Sequence, residues 1–191
     1  NVWKFFFNSA KYAVLTTVLS LFVCSLAGYA FEIYHDKWKD RLFTVILMTM
    51  MLPFVALMVP LFQMFSKARL LNSTLGFLLP SLSAPLLIMM FRQAAKSFPG
   101  EIIEAARIDG LSEIQIFFRM FVPMMKSTYA AAVTISFMNA WNNYLWPKVI
   151  MTKGSSQTMP MMISSLTAGY TTDYGMLMLA VLITTLPTAV V

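Results

Sequence analysis

Few residues in this chain could do chemistry, and none has the spacing of a catalytic or metal site. The chain has one cysteine, Cys24, so no intramolecular disulfide is possible. Its one histidine, His35, falls in a predicted loop, and no His, Cys and Asp cluster has the spacing of metal ligands. The sequence also lacks a glycine-rich phosphate loop followed by lysine, so it does not bind ATP by that route. We therefore expect no catalytic residue, no metal and no cofactor.

The charged residues are instead concentrated in one stretch. Nine of them lie between Arg92 and Lys126, and residues 101–123 read EIIEAARIDGLSEIQIFFRMFVP. The segments on either side carry no charge for about the length of a membrane-spanning helix, roughly 20 residues. The sequence therefore predicts one structured, charged loop in water, and this loop is where a soluble partner could bind.

The elements that must hold this loop are hydrophobic. The chain has 191 residues, 59% of them hydrophobic and 12% charged, whereas a soluble domain has about 25% charged residues. Long uncharged runs must be helical in lipid, because backbone groups there can be satisfied only within the segment. We expect an all-α integral membrane protein, a single domain over residues 1–191. It should form a bundle of five spans, at about residues 9–31, 42–62, 75–91, 124–146 and from 174 onward.

The net charge of +6 fits a membrane protein better than a nucleic-acid-binding protein, because the cations cluster in short loops between spans. The positive-inside rule places the loop with Lys37, Lys39 and Arg41 in the cytoplasm. Residues 148–172 then lie outside, and their many serines and threonines predict a loop with a short surface helix. No nucleic-acid partner is expected.

Two features inside the spans concern helix packing. Pro53 in the second span and Pro80 in the third are among several prolines that predict kinks. Ser20, Cys24 and Gly28 recur every four residues in the first span, a small-residue face that lets helices approach closely.

The charged loop itself predicts two helices within residues 97–123. Pro99 suits a first helical turn, and Gly110 suits the left-handed position that ends a helix. Ser112 with Gln115 forms a capping box that begins a second helix. Both helices are amphipathic, and Pro123 leads into the fourth span. The apolar face of the first is formed by Ile102, Ala105, Ala106 and Ile108, and that of the second by Ile114, Phe117, Phe118 and Phe121. Such an element could lie on lipid headgroups, connect spans in solvent, or insert into a groove of a soluble partner. The physical pattern favours none of the three.

A second candidate site lies at the predicted outer end of the fourth span. Asn142 and Asn143 are polar groups in a costly place, so a role in lining a solute pathway is plausible. Trp141, Tyr144 and Trp146 accompany them, and an interfacial aromatic belt is a simpler interpretation of these three than stacking on a bound ligand.

The residues of the charged loop resemble a known family. Glu104-Ala105-Ala106, Asp109-Gly110 and Pro123 are similar to the EAA loop of binding-protein-dependent ABC importer permeases, and EAARIDG resembles the carbohydrate, maltose-type branch. The resemblance covers nearly the whole chain. Further matching segments are Leu71 to Ser73 with Gly76, Phe91 to Gln93, Trp141 to Pro147, and Tyr170 to Met178. Ser127 and Leu111 depart from the pattern. Such permeases usually have six spans, so we expect a fragment that lacks the first helix and the end of the last.

The resemblance implies a MetI-like permease fold in the bacterial cytoplasmic membrane, surrounded by lipid. It implies a non-catalytic subunit that moves a sugar or related solute with ATP hydrolysed by a cytoplasmic ATPase dimer. The other implied partners are a second permease subunit and an extracytoplasmic solute-binding protein. The coupling loop would dock on the ATPase through Glu104, Ala105, Ala106, Asp109 and Gly110. Trp141, Asn142, Asn143 and Tyr144 are the candidate pathway residues.

Other interpretations of the sequence remain. A membrane enzyme needs ionisable groups within its spans, and a channel needs a filter or a charged ring; neither is evident. A structural membrane scaffold would bind a partner through the loop without solute-dependent ATP use. Glu104 could be only a favourable charge in a first helical turn, and Asp109 only a solvated helix end. Glycerol phosphate or a polyol are alternative solutes.

Overall fold

The computed structural model describes residues 2–168 and 173–190, and every regular element in these ranges is a helix. The α-helices are α1 (Val2–Ile33), α2 (Lys37–Met48), α3 (Phe54–Lys67), α4 (Thr74–Leu78), α5 (Pro85–Lys96), α6 (Gly100–Ile108), α7 (Glu113–Ile116), α8 (Val122–Met124), α9 (Lys126–Trp141), α10 (Leu145–Ile150), α11 (Met159–Thr167) and α12 (Tyr174–Val190). Short 3-10 turns follow α2 and α4, at Thr49–Met51 and Leu79–Ser81, and a π-helix at Phe117–Phe121 joins α7 to α8. The all-α prediction is confirmed for these residues.

The predicted spans fall on helices, but two of them are broken. Within the described ranges only α1 is long and apolar enough to cross a membrane alone. The number rises to three if α2 with α3, and α4 with α5, each count as one span. The sequence predicted kinks where the structure has breaks. Leu52 and Ala84 each precede a proline and adopt extended backbone, with ψ of 121° and 111°, because the proline ring disfavours helical geometry at the preceding residue.

The chain divides into two compact units. The first contains the described residues of 1–18, 53–81 and 134–191, and the second contains 19–52 and 82–133. Helices α1 and α9 contribute residues to both units. The charged loop belongs to the second unit, and Asn142 and Asn143 belong to the first.

In the second unit, the small-residue face of α1 packs closely against α5. Ser20 and Cys24 are buried, and a Cβ atom added to Gly28 would lie 2.6 Å from Cβ of Phe91 and 2.7 Å from the backbone nitrogen of Arg92. The close approach that the four-residue repeat predicted is therefore confirmed.

Arg92 is the buried charge that ties three helices of this unit together. It is only 9% exposed, and it forms ion pairs with Glu32 at the end of α1, 3.0 Å away, and with Asp40 in α2, 2.7 Å away. Its guanidinium carbon lies 4.3 Å from the ring centroid of Phe43. A buried cation is tolerated because both carboxylates and the ring replace its lost water.

In the first unit, two tryptophans serve as buried anchors, so an interfacial belt is the wrong interpretation for them. Trp141 and Trp146 are each 1% exposed. The indole N–H of Trp141 donates to the carbonyl of Thr184 at 3.0 Å, and that of Trp146 donates to the carbonyl of Gly76 at 2.9 Å. The fourth predicted span also ends earlier than expected. Helix α9 stops at Trp141 rather than near residue 146.

The helix predicted between residues 154 and 172 is present as α11, but it is not a surface helix. Met159 is fully buried and Met162 nearly so, and both pack with Ala180 of α12 and with Phe5 and Phe6 of α1. The backbone N–H of Met159 donates to Oγ of Ser9 at 2.8 Å. The methionines on one face of α11 thus bury a segment that looks polar by composition. Tyr170, Thr171 and Thr172, which belong to the resembling segment, lie outside the described residues.

Candidate functional site

Residues 97–123, called the hairpin here, begin and end their helices where the sequence predicted. Helix α6 starts directly after Pro99, and its last carbonyls are satisfied by a Schellman motif. The N–H of Leu111 donates to the carbonyl of Ala106 and that of Gly110 to the carbonyl of Arg107, both at 3.0 Å. Gly110 has a φ of +79°, which only glycine adopts without strain.

The capping box predicted for the second helix is also present. The N–H of Ser112 donates to Oε1 of Gln115 at 2.8 Å, and the N–H of Gln115 donates to Oγ of Ser112 at 3.4 Å. Both ends of the Gly110 turn are therefore fixed by local hydrogen bonds, and the two helices of the hairpin hold a defined angle.

One face of the hairpin is buried in the core of the second unit. Ile103, Ala106, Ile116, Phe117 and Phe121 pack there, together with Tyr29, Ala95, Phe98 and Met125. The predicted apolar faces were partly wrong, because Ile108 and Ile114 do not join this core. Ile108 is 85% exposed and Ile114 is 70% exposed, one on each side of the Gly110 turn. The tip of a charged hairpin thus presents two large apolar side chains to its surroundings.

A polar brace holds the hairpin closed and links it to the end of α1. Arg107 of α6 donates to Glu113 of α7, from Nε to Oε1 at 2.8 Å and from its terminal nitrogen to Oε2 at 3.3 Å. The hydroxyl of Tyr34 donates to the same Oε2. The bond to Arg107, and then that to Tyr34, lowers the pKa of Glu113 below its ordinary value. Burial first, and then Glu113, raises the pKa of Tyr34 to about 12.

The predicted docking residues divide by exposure. Glu104, Ala105, Asp109 and Gly110 are exposed, whereas Ala106 is 3% exposed and packs inward. Glu104 lines a cavity of about 290 Å³ beside the hairpin, together with Glu32, Lys96 and Arg107. Among the described residues neither Glu104 nor Asp109 forms an ion pair. Their carboxylates are therefore available to another molecule.

The second candidate site is a cavity of about 640 Å³ in the first unit, called the polar cavity here. Its lining residues are Phe54, Pro80, Ser81, Asn139, Asn142, Asn143, Tyr144, Leu145 and Trp146. Three of the four predicted pathway residues line it, and the fourth, Trp141, is buried in the core instead. A smaller cavity of about 360 Å³ shares Asn142 and Tyr144 with the first and adds Pro160, Ile163, Ser164, Thr167 and Thr184.

Sequence reasoning missed several residues of these sites. Asn139 could have been found, because it lies three residues before Asn142, and helical positions three apart lie on the same side. Ser81 and Tyr34 gave no local signal, because they reach their sites only through the tertiary fold. In the described ranges no group of three His, Cys, Asp or Glu side chains could hold a metal ion.

Comparison with known proteins identifies the family to which the chain is similar. The model of the family described as "Binding-protein-dependent transport system inner membrane component" matches residues 20–191. The lactose transport system permease protein LacG of Rhizobium radiobacter is 48% identical over 186 residues, which cover 97% of this chain and 68% of that protein. The arabinooligosaccharides transport system permease protein AraQ of Bacillus subtilis is 35% identical, with 99% and 67% covered. The sn-glycerol-3-phosphate transport system permease protein UgpE of Yersinia pestis is 33% identical, with 96% and 66% covered.

The fold has a counterpart among solved structures. A bacterial ABC transporter involved in the import of the acidic polysaccharide alginate matches with a TM-score of 0.80 at 23% identity, over 93% of this chain and 63% of that chain. The similarity confirms the predicted permease fold. The chain spans about two thirds of the length of the curated relatives above. On the family match and the level of identity, this chain belongs to the family of binding-protein-dependent transport system inner membrane components.

Proposed function

We propose that this chain is the membrane-embedded permease subunit of an ABC importer in the bacterial cytoplasmic membrane. It would move a sugar or related solute with ATP hydrolysed by a cytoplasmic ATPase dimer, alongside a second permease subunit and an extracytoplasmic solute-binding protein. The observation that carries the proposal is the hairpin: a rigid helical pair whose tip exposes Ile108 and Ile114.

The hairpin tip suits a groove on a soluble protein. An isoleucine side chain gains about 1.5–3 kcal/mol when it moves from water into an apolar site, and both tip residues are still exposed. Helix α6 has 9 residues and so is about 14 Å long, enough to fill a short groove. Ala105 is exposed beside them, and its small side chain allows the partner's backbone to approach. Ala106 instead fastens α6 to its own unit.

The charges of the hairpin indicate what kind of groove it fits. Arg107 is paired with Glu113, whereas Glu101, Glu104 and Asp109 form no ion pair within the described chain. The hairpin therefore carries three carboxylates without an ion pair, and Asp109 is the one that directly follows Ile108 at the tip. We expect the ATPase cleft to be apolar at its base and basic at its rim, with Glu104 and Asp109 facing cations of the partner.

Helix α9 connects the hairpin in sequence to the polar cavity. The hairpin continues through α8 into α9, and α9 ends at Trp141, the residue before Asn142. Movement of the hairpin on the ATPase would thus act on the helix that carries the lining residue Asn139. In this proposal the chain supplies the solute path and the hairpin that transmits movement to α9, and the ATPase hydrolyses ATP.

The test is reconstitution of the full-length protein with its second permease, ATPase and solute-binding protein in lipid vesicles. ATP hydrolysis is measured with and without each of four solutes: lactose, an arabinooligosaccharide, sn-glycerol 3-phosphate and an alginate oligosaccharide. We expect stimulation by at least one solute, dependent on the binding protein. Stable co-purification of the four components with no stimulation by any solute would instead favour a scaffold.

A further inference from the structure

We propose that the first unit binds an anionic phospholipid at a specific site. The acyl chain lies in a groove, called the apolar groove here, that is lined by Met58, Val59, Phe62 and Val149. The phosphate binds at four cations, called the basic rim here: Lys67, Arg69, Lys148 and Lys153. The inference goes beyond the proposed function, because it concerns the membrane and neither the solute nor the ATPase.

Charge is distributed unevenly between the two units. The first unit has six lysines and arginines against one acidic residue, Asp173, a net charge of +5. The second has eight lysines and arginines against seven acidic residues, a net charge of +1. All four residues of the basic rim are exposed, and none of them forms an ion pair within the described chain. Unpaired cations concentrated on one unit attract an anion.

The basic rim lies where two predicted spans end. Lys67 follows the predicted second span, residues 42–62, by five residues, and Lys148 follows the predicted fourth span, residues 124–146, by two. In the predicted topology both of these ends are outside the cytoplasm, so the positive-inside rule does not account for their cations. A cation at the end of a span is at the depth of the lipid headgroups and can bind a phosphate there.

Asn72 holds the two halves of the basic rim together. Its backbone N–H donates to the carbonyl of Ile150 at 3.0 Å, and its Nδ2 donates to Oγ1 of Thr152 at 2.9 Å. Its Oδ1 accepts from the backbone N–H of Lys153 at 2.8 Å. These three bonds fix the turn after α3 against the segment after α10, and the two segments carry the rim cations side by side.

The apolar groove has a volume of about 330 Å³ and is lined by apolar side chains of α3 and α10. Met58 and Phe62 are four residues apart and so lie on one side of α3, and Val149 of α10 completes the groove. The two helices are held together by Phe65 and Trp146, which meet edge to face with ring centroids 5.2 Å apart. Such a groove suits a flexible hydrocarbon chain.

The groove and the rim are adjacent on both helices. Lys148 directly precedes Val149 in α10. Lys67 ends α3 five residues after Phe62, which is about 7.5 Å along the helix axis. One amphiphilic molecule can therefore place its hydrocarbon chain in the groove and its anionic group at the rim.

Neither of two other occupants fits both parts. A helix of another membrane protein would fill the groove but leave the rim unpaired, because carboxylates are rare in membrane-spanning segments. An acidic protein surface outside the membrane would pair with the rim, but it would not enter the groove, because residues 58–62 belong to a predicted span. An anionic phospholipid satisfies both parts at once.

The experiment is photocrosslinking in vesicles that contain the full-length complex. The vesicles consist of phosphatidylcholine with a trace of phosphatidylglycerol that carries a diazirine in its acyl chain, and crosslinked peptides are identified by mass spectrometry. Unlabelled phosphatidylglycerol is the anionic competitor, and phosphatidylethanolamine is the zwitterionic one.

The test variant combines Arg69→Gln with Lys148→Gln. The control combines Lys37→Gln with Arg41→Gln, which removes two exposed cations of the second unit that likewise form no ion pair among the described residues. Thermal denaturation monitors the folding of both variants. Competition in the wild-type complex tests the site without any substitution.

We expect crosslinks to the residues of the apolar groove, displaced at least about fivefold more effectively by phosphatidylglycerol than by phosphatidylethanolamine. The test variant should lower these crosslinks by about tenfold, and the control should leave them unchanged. No crosslink in the groove, or equal displacement by the two competitors, would overturn the lipid site. Unchanged crosslinking in the test variant, with weaker binding of the solute-binding protein, would assign the rim to that protein and overturn the inference.

Discussion

At the scale of single residues, the hairpin separates side chains that are buried in its own unit from side chains that are exposed. Ile103 and Ile108 lie on the same helix, yet Ile103 is 5% exposed and Ile108 is 85% exposed. The difference cannot come from residue type, so it reflects that one side of α6 packs on its own unit and the other side does not.

These two isoleucines give a matched test of docking. We expect Ile108→Ala to weaken binding of the ATPase by about 1–2 kcal/mol, roughly five- to thirtyfold, without lowering the melting temperature of the permease. Ile103→Ala should do the reverse, because truncating a buried isoleucine costs about 2–5 kcal/mol of stability. ATPase affinity and thermal denaturation of the detergent-purified protein measure the two effects. Equal affinities for wild type and Ile108→Ala would contradict docking through the tip.

Tyr34 and Tyr29 give a second matched pair. The Tyr34 hydroxyl donates to Glu113, whereas the Tyr29 hydroxyl is buried and has no partner among the described residues. Tyr34→Phe should therefore loosen the hairpin by about 1 kcal/mol, seen as roughly fivefold faster amide hydrogen exchange in residues 100–116. Tyr29→Phe should leave this exchange unchanged or slow it. Equal exchange in wild type and Tyr34→Phe would mean that the brace contributes nothing.

The brace should also be insensitive to pH over the physiological range. Glu113 has a lowered pKa, so its contribution is present at neutral pH and is lost only as the pH falls through that lowered value, below 4.5. Tyr34 has a raised pKa, so its contribution is complete below 10.0 and is lost as the pH rises through about 12. We expect the exchange difference between wild type and Tyr34→Phe to be constant between about pH 6 and pH 9. A difference that vanishes within this window would show that another group controls the hairpin.

At the scale of elements, the packing of α1 on α5 depends on a missing side chain. A Cβ atom at Gly28 would lie 2.7 Å from the backbone nitrogen of Arg92 and 2.9 Å from the carbonyl oxygen of Ile88, and neither atom can turn away. We expect Gly28→Ala to destabilise the protein by about 1–3 kcal/mol and to lower its melting temperature. Gly100→Ala is the control, because nothing lies within 4 Å of its added Cβ. Similar melting temperatures for the two variants would contradict the close helix contact.

The elements also show which features can be predicted from the sequence and which cannot. The Gly110 turn and the Ser112 capping box were predictable, because each motif is decided by residues within five positions of one another. The ion pair between Glu32 and Arg92 joins residues 60 positions apart, and the bond between Ser9 and Met159 joins residues 150 apart. No local pattern encodes such contacts. For the same reason, the polar composition around α11 led to the prediction of a surface helix, although α11 is buried by contacts with distant residues.

In the candidate sites, too, local features were predictable and long-range contacts were not. Asn142 and Asn143 were identified as polar groups in a costly place near a span end, and Tyr144 as one of the aromatic residues beside them; all three line one cavity. Trp141 was grouped with them because it is adjacent in sequence, although its indole is buried and bonded to Thr184. Ser81 joins the cavity only because the chain returns from a different helix. The sequence therefore indicated a polar site near this helix end, whereas the full set of residues that line the cavity depends on the tertiary fold.

At the scale of the whole molecule, the best-defined polar structure of the described chain is the hairpin. Gly110 lies in the turn between the two helices of that hairpin. A valine there would occupy open space, since nothing lies within 4 Å of an added Cβ. It would nevertheless disrupt the turn, because a β-branched residue strongly resists a φ of +79°.

The most direct test is therefore ATP-driven solute uptake in vesicles that contain the complete complex with Gly110→Val. Gly154→Val is the control, because Gly154 has no positive φ and no neighbour within 4 Å of its added Cβ. We expect Gly154→Val to transport normally and Gly110→Val to lose at least about tenfold in uptake per ATP hydrolysed, a coupling loss of about 1.4 kcal/mol or more. Wild-type uptake per ATP in the Gly110→Val complex would contradict a role of the hairpin in coupling.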